Sequence, residues 1–443
     1  MLNDEESSDR YGFRQRIGLV LGLALFALII VLPVEIHSPA AKKTLAIAVL
    51  MATWWVTEAL PIPAVSLLPL ALFPALGIME SSEVASQYGH RLIFLFMGGF
   101  LIAVAMQKWD LHKRIALHII RSIGTGPKQI VLGFMVASGF LSMWISNTAT
   151  TMMMAAIGLA VVSYLATASE EKEQVEGKLR TNFGVALMLG IAYSCSIGGM
   201  GTIIGSPPNA LLVAFLENNF NQNISFLDWM IVGIPIVVIL LPIAWWYLTN
   251  ISSPIHLETI PGGEELIKEK LQKLGPMGRG EKRVLTVFVL TALLWIIRSF
   301  LITPHLPMVG DATIAISMSI LLFLIPVNLE EGEFALDWEW AIKIPWGTLI
   351  LFGGGLALAK GIEETGLAIW LAEKLDRFTH LPLLFFLLVT ITLMVSLTNL
   401  TSNTGTAAMM LPVLAPLAQT MGIDFLTLAF PAIISVSGAF ILP

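Results

Sequence analysis

Long apolar runs without a charged side chain constrain this chain more than any other feature. Segments 129–165 and 183–216 contain no Asp, Glu, Lys, Arg or His. Across the 443 residues, 56% are hydrophobic and 13% are charged, whereas soluble domains carry about 25% charged residues. A soluble protein this poor in charge could not cover its surface with polar groups. The sequence therefore predicts an all-α polytopic membrane protein that lies largely in lipid.

Charge and cysteine content exclude several other classes. The net charge is −6 and no basic patch stands beside aromatic residues, which argues against nucleic-acid binding. The single cysteine, Cys195, cannot build a disulfide framework. Compact loops favour a multi-pass protein of a bacterial inner membrane.

The distribution of basic residues predicts an orientation. A cytoplasmic N-terminal segment, 1–16, precedes a first span within 17–40, and the basic linker 251–283 then also lies inside. This agreement requires 129–165 to return to its own side as a re-entrant hairpin. The amphipathic segment 108–122 is predicted to lie in the membrane interface. His112 and His118 are predicted to be solvated surface residues rather than metal ligands, and the apolar face is flanked by the basic residues Lys108, Lys113, Arg114 and Arg121.

A motif occurs twice in matching context. FLFMGGFLIAVAM at 94–106 resembles ILFGGGLALAKGI at 350–362, and each precedes an amphipathic helix and a hairpin. The hairpins, 129–165 and 382–419, both carry Ser-Asn-Thr-x-Thr at the tip, with a hydroxyl residue four positions before the serine. The orientation makes the first hairpin enter from inside and the second from outside. We therefore predict two inverted repeats, an arrangement typical of secondary transporters.

The repeats are predicted to span 41–250 and 284–443. The first contains a broken helix, 183–216, interrupted near the GSPPNA sequence at 205–210. The second reaches SGAFILP at 437–443, where an equivalent Pro-Pro-Asn loop is expected to follow. The sequence is therefore predicted to be truncated at its C-terminus.

The motif segments offer hydroxyl, amide and carbonyl groups but no titratable proton relay. Such hard oxygen donors suit Na⁺, while the N–H groups at a helix N-terminus favour anions. One tip could hold Na⁺ on its carbonyl side and an anion on its amide side, and two tips could bind both ends of a dianion. A membrane-embedded enzyme using Ser146 or Ser402 is the alternative from another class.

The doubled Ser-Asn-Thr, the GSPPNA loop and the SGAFILP ending resemble the divalent anion/sodium symporter family. That family includes bacterial dicarboxylate transporters and animal citrate, dicarboxylate and sulfate carriers, and the resemblance covers nearly the whole chain from about Ile17. It implies a homodimer in membrane lipid, with a scaffold domain and a mobile transport domain that work as an elevator. The implied activity is not enzymatic but Na⁺-coupled uptake of C4-dicarboxylates such as succinate, malate or fumarate. Citrate or sulfate transport, or dicarboxylate exchange, remain alternatives within the same fold.

The resemblance also implies binding residues. Sodium ligands come from both tips and the broken helix: Ser142, Ser146, Asn147 and the Gly205 backbone at the first site, and Thr398, Ser402 and Asn403 at the second. The second site would also use a carbonyl of the loop expected after Pro443. The substrate carboxylates would meet Asn147 and Thr148 at one tip and Asn403 and Thr404 at the other, with Ser206 as a further candidate.

Overall fold

The computed structural model describes residues 11–33, 36–168, 182–256, 263–375 and 382–440. Parts of all five predicted segments therefore lie outside the described residues: 1–10 of the N-terminal segment, 34–35 of the first span, 169–181 of the first repeat, 257–262 of the basic linker, and 376–381 and 441–443 of the second repeat. Within the described ranges the chain is mainly helical, as predicted.

The helices of the first half are interrupted at two points that matter for the site, after Ser142 and after Gly199. In chain order they are α1 (Phe13–Val31), α2 (Pro39–Thr57), α3 (Ile62–Val65), α4 (Leu68–Ala75), α5 (Ser81–Tyr88), α6 (Arg91–Lys108), α7 (Leu111–Ile123), α8 (Pro127–Ser142), α9 (Asn147–Ala168), α10 (Asn182–Gly199), α11 (Pro207–Phe220) and α12 (Phe226–Tyr247).

The second half has an equivalent break after Leu400. Its elements are α13 (Gly263–Lys273), α14 (Arg279–Ile297), α15 (Asp311–Leu324), β1 (Pro326–Asn328), β2 (Glu333–Phe334), α16 (Trp338–Ala341), α17 (Trp346–Glu364), α18 (Leu367–Leu375), α19 (Leu383–Leu400), α20 (Asn403–Thr420) and α21 (Phe425–Val436).

Six helices among the described residues are long and apolar enough to cross a membrane, which supports a multi-pass membrane protein. By this criterion they are Phe13–Val31, Ser81–Lys108, Asn182–Gly199, Phe226–Ser252, Arg279–Ile302 and Leu383–Leu400. The fourth and fifth continue α12 and α14 through short π-helical turns.

The chain forms two compact units. One comprises Met1–Ile93, Ala210–Asn223 and Pro345–Pro443, and the other Phe94–Asn209 and Ile224–Ile344. Each unit draws segments from both predicted repeats, and the repeat boundaries remain a prediction.

In the first unit, α17 packs closely on its neighbours through a run of glycines. A Cβ atom at Gly354 would lie 2.3 Å from the carbonyl oxygen of Ser66, and one at Gly353 would lie 2.2 Å from the Tyr88 ring. Small residues allow helices to approach this closely in lipid, where packing rather than the hydrophobic effect drives association. The Gly-Gly-Gly sequence therefore fixes α17 against α3 and α5.

In the second unit, α10 packs on α8 with no room for a side chain at their crossing. A Cβ atom at Gly198 would lie 2.1 Å from the carbonyl oxygen of Gly139. Helix α7 packs on the first half of α8, where Gly133 approaches Ile120. This packing presents the end of α8 to the interrupted segment after α10.

The prediction of solvated histidines on the amphipathic helix was wrong for His112, and Arg114, predicted to flank the apolar face, is buried with it. His112 and Arg114 are buried, at 6% and 7% exposure. Arg114 Nε lies 2.7 Å from Glu281 Oε1, and His112 Nδ1 lies 3.0 Å from the Met106 carbonyl oxygen. A charged side chain is stable in such a place because it is paired and hydrogen bonded.

The all-α prediction also missed a small antiparallel hairpin formed by β1 and β2. Its turn contains Gly332, which has a φ of +67°, a backbone angle that residues with a side chain rarely adopt. Lys108 and Trp109 donate hydrogen bonds to the carbonyl oxygens of Phe334 and Ala335, at 2.7 and 2.8 Å. The hairpin thereby fixes the end of α6.

Candidate functional site

The first hairpin tip is the turn between α8 and α9. The N-terminal residue of α9 is Asn147, and the hydroxyl of Ser146 caps this helix by accepting the N–H of Ala149 at 3.3 Å. A serine in this position satisfies one of the N–H groups that a helix start leaves unpaired. The remaining N–H groups and the positive end of the helix dipole favour an anion at the tip.

The side chain of Asn147 lies within a group of oxygen atoms. One terminal atom of its amide lies 2.5 Å from Ser142 Oγ and 3.2 Å from the carbonyl oxygens of Gly205 and Cys195. The amide orientation that satisfies these neighbours directs the nitrogen toward them. The opposite orientation would place four oxygens together, an arrangement that is stable only around a cation.

The interrupted segment between α10 and α11 is held by two polar side chains that sequence reasoning did not select. Thr202 donates from its hydroxyl to the Met143 carbonyl at 2.5 Å and accepts the N–H of Gly205 at 3.0 Å. Asn209 donates to the carbonyl oxygens of Gly199 and Thr202, at 2.9 and 2.8 Å. These bonds fix the turn that carries the Gly205 carbonyl. Asn209 belongs to the GSPPNA motif, which could have identified it as a functional residue. Thr202 lies outside any motif, and nothing in the sequence distinguishes it from other threonines.

Two glycines leave the space that this arrangement needs. A Cβ atom at Gly199 would lie 2.6 Å from Asn147 Oδ1, and one at Gly205 would lie 2.7 Å from the Gly199 carbonyl oxygen. Contacts below 3.0 Å force a displacement of one partner. Gly199 and Gly205 are therefore required where Asn147 meets the broken helix.

An aromatic stack supports the first tip from the side. Trp144, in the turn, contacts Phe288 edge to face with ring centroids 5.0 Å apart and stacks on Phe226 at 6.2 Å. Phe226 stacks in turn on Trp295 at 4.4 Å. The tip is thus packed against α12 and α14 within the second unit.

The second tip, between α19 and α20, repeats the local geometry of the first. Ser402 caps α20 by accepting the N–H of Gly405 at 3.0 Å. Thr398 Oγ1 lies 2.5 Å from Asn403 Oδ1 and 3.1 Å from the Val436 carbonyl oxygen. A hydroxyl has one proton, so it cannot fully satisfy two acceptors. The second tip therefore gathers oxygens around the Thr398 hydroxyl, with the Asn403 amide oxygen as one of them.

The structure thus brings together some of the predicted residues and gives others a different place. Ser142, Asn147 and Gly205 meet at the first tip, and Thr398 and Asn403 meet at the second. Ser146 and Ser402 are caps, and each hydroxyl oxygen keeps a second lone pair. Thr148 is exposed, Thr404 is half-buried, and Ser206 is 1% exposed. The carbonyls of Cys195 and Val436 were not predicted, since a backbone group leaves no trace in the residue type.

Comparison with known proteins gives a consistent result along the chain. Residues 14–443 match the family described as the sodium:sulfate symporter transmembrane region. The chain is 45% identical over 450 residues to the sodium-dependent dicarboxylate transporter SdcS of Staphylococcus saprophyticus, covering 100% of this chain and 85% of that protein. It is 47% identical over 436 residues to the sodium-dependent dicarboxylate transporter SdcS of Staphylococcus aureus, covering 97% of this chain and 83% of that protein.

Proposed function

Because the chain belongs to the sodium:sulfate symporter family, as its motifs predicted, we propose that it imports a C4-dicarboxylate together with Na⁺. Relatives named as sodium-dependent dicarboxylate transporters match nearly the whole chain and favour a dicarboxylate over sulfate. Succinate, malate and fumarate are the substrates that we propose. Sodium is the coupling ion and is carried with the substrate.

The oxygen group around Asn147 is the observation that carries this proposal. Its members are a hydroxyl, two main-chain carbonyls and a side-chain amide, all neutral groups. Neutral hard oxygens suit a singly charged Na⁺, and carbonyls at a broken helix are a recurrent source of them in transporters. We place the first Na⁺ among Ser142, Asn147 and the carbonyls of Gly205 and Cys195, with Ser146 as a further ligand.

The second Na⁺ belongs by the same reasoning at the second tip. Thr398, Asn403 and the Val436 carbonyl supply the oxygens, and Ser402 stands next to them in the turn. Asn403 occupies the position relative to its cap and hydroxyl partner that Asn147 occupies at the first tip. Two Na⁺ ions, one at each tip, would together balance the charge of a dicarboxylate.

The amide of Asn147 offers a physical route to coupling. Without a cation, its nitrogen faces the carbonyl oxygens of Gly205 and Cys195. With Na⁺ in the group, the amide oxygen must face the ion, so the nitrogen turns outward. There it can donate to a substrate carboxylate beside the N–H groups of α9 and the hydroxyl of Thr148. The equivalent donors at the second tip are Asn403 and Thr404. Substrate binding would then depend on Na⁺ without any titratable group.

We also propose the architecture and the mode of transport that the family resemblance implies. The repeated tip geometry supports two inverted repeats, and the resemblance implies a homodimer that moves substrate by an elevator motion. The serine-enzyme alternative is disfavoured because the hydroxyls of Ser146 and Ser402 accept backbone N–H groups as helix caps. Those hydroxyls would need a general base to act as nucleophiles.

Uptake of labelled succinate into proteoliposomes tests the function. The vesicles hold no internal substrate, and either Na⁺ or K⁺ is outside. Uptake only with Na⁺ is the expected result. Uptake only after preloading with dicarboxylate would make the protein an exchanger, and preferential uptake of citrate or sulfate would change the substrate.

A further inference from the structure

A surface groove in the second unit combines a cationic rim with an apolar floor. It lies among α7, α9 and α13 and has a volume of about 560 Å³. Its rim carries Lys113, Lys270 and Lys273, and its floor includes Leu117, Ala156 and Ile157. None of these residues belongs to the hairpin tip.

The rim carries more positive than negative charge. Lys113 pairs with Asp110 at 2.8 Å, and Lys273 pairs with Glu269 at 2.6 Å. Lys270, which is half-buried, has no ion pair among the described residues. Three ammonium groups therefore face two carboxylates, and the balance favours an anion.

The depth of the groove follows from the hairpin. Residues 153–157 come six to ten positions after Asn147 on α9, which is about 9–15 Å along the helix axis. With the tip near the bilayer midplane, as the proposed function requires, the groove lies near the edge of a hydrocarbon half-layer of about 15 Å. Lipid phosphates lie at that depth. The amphipathic α7 suits the same position.

We propose that this groove binds one anionic phospholipid, with its phosphate at the three lysines and an acyl chain along the apolar floor. Basic pockets between membrane helices are known to recognise anionic head groups. A soluble phosphate would use the lysines but would leave the apolar floor exposed. The combination of charge and apolar surface therefore favours a lipid.

The position of the groove gives the lipid a route to the transport machinery. An adjoining cavity of about 440 Å³ shares Lys113 and Met153 with the groove and extends to Ile145, Ala149 and Thr150. Thr150 is 1% exposed, and its hydroxyl has no hydrogen-bond partner among the described residues. An acyl chain that continues past Met153 lies against the first tip. Lipid occupancy would therefore affect the movement of the hairpin.

Native mass spectrometry of the purified full chain tests lipid binding without using transport. The protein is titrated in detergent with palmitoyl-oleoyl phosphatidylglycerol or with the corresponding phosphatidylcholine. We expect one tightly retained phosphatidylglycerol in the wild type. The K270Q/K273Q variant should bind it about 25-fold more weakly, at about a factor of five per lysine. The K268Q/K282Q variant is the matched control, because it removes two exposed lysines outside the groove for the same change in charge.

A second variant tests the floor independently. Ala156 is exposed on α9, so A156F fills the groove without overpacking a core, and L159F places the same ring on an exposed position outside it. A156F should lose the tight phosphatidylglycerol and L159F should keep it.

Equal retention of both lipids by the wild type would overturn the proposal, as would equal retention of phosphatidylglycerol by all variants. The proposal would also be overturned if inorganic phosphate displaced the bound phosphatidylglycerol and bound the groove as tightly as the lipid does. None of these results depends on succinate transport, so the lipid site and the proposed function fail separately.

Discussion

Asn147 and Asn403 hold equivalent positions in the two hairpin tips. Each follows a serine that caps its helix, and each lies 2.5 Å from a hydroxyl oxygen five residues earlier. Their amides can present either an oxygen or a nitrogen to the neighbouring acceptors. In the proposed function, this choice makes them the residues on which Na⁺ binding and substrate binding both depend.

We expect Asn147→Ala and Asn403→Ala each to raise the Na⁺ concentration for half-maximal succinate uptake by about tenfold or more. Loss of a ligand to a charged group is worth roughly 1.5–3 kcal/mol. Asn399→Ala is the control, since the Asn399 amide donates to the Val395 carbonyl within its own helix at 2.7 Å. Normal Na⁺ dependence in both tip variants would show that the site assignment is wrong.

At the scale of helices, the crossing of α8 and α10 determines where the first tip meets the broken helix. The atoms closest to a Cβ at Gly198 are backbone atoms of Gly139, between 2.1 and 2.7 Å away. Backbone atoms cannot yield as a flexible side chain can. The two helices would have to separate to accept a methyl group.

Gly198→Ala should therefore destabilise the protein by at least about 1–3 kcal/mol, the usual effect of overpacking. The measurement is the midpoint of thermal unfolding in detergent. Gly89→Ala serves as the control because its Cβ would lie 3.5 Å from the nearest atom, an ordinary contact. Equal midpoints for the two variants would contradict the packing described for α8 and α10.

The buried pair of Arg114 and Glu281 fixes α7 to the start of α14. Arg114 also donates to the carbonyl oxygens of Leu274 and Gly275, at 3.2 and 3.0 Å. Both side chains are about one-tenth exposed, at 9% and 10%. Removal of one partner leaves a buried charge without compensation.

Arg114→Met or Glu281→Met alone should destabilise the protein by about 3–5 kcal/mol. The double variant should lose less than the sum of the two, because no unpaired charge remains. Thermal unfolding of the four proteins of this cycle measures the coupling. Strict additivity would mean that the pair does not act as a unit.

The sequence predicted the helix breaks better than it predicted the packing around them. The polar Ser-Asn-Thr motifs within uncharged apolar segments located both tips. A break in a membrane helix leaves backbone groups unpaired, and polar side chains such as these are needed to satisfy them. The sequence pattern places Arg114 only beside the apolar face of its helix, because its partner Glu281 lies 167 positions away and leaves no local signal. The carbonyls of Cys195 and Val436 could not be predicted at all, since they depend on where the backbone passes.

For the whole molecule, the predicted orientation has a direct consequence. Inverted repeats bring the two hairpins into the membrane from opposite sides. In a Cys195→Ala background, Ser122→Cys and Pro382→Cys, both at exposed positions at the open ends of the two hairpins, should react with a membrane-impermeant maleimide from opposite sides. Cys195 itself is buried at 0% exposure, so its removal takes away little reactivity. Labelling of both positions from the same side would contradict the inverted arrangement.

In the proposed function, Na⁺ held by neutral oxygens at the tips creates the dicarboxylate site. Calorimetric titration of the purified protein with succinate, at increasing Na⁺ and constant ionic strength set with K⁺, tests this claim most directly. We predict negligible binding in K⁺ alone and an affinity that rises steadily with Na⁺. The same succinate affinity in Na⁺ and in K⁺ would contradict the account.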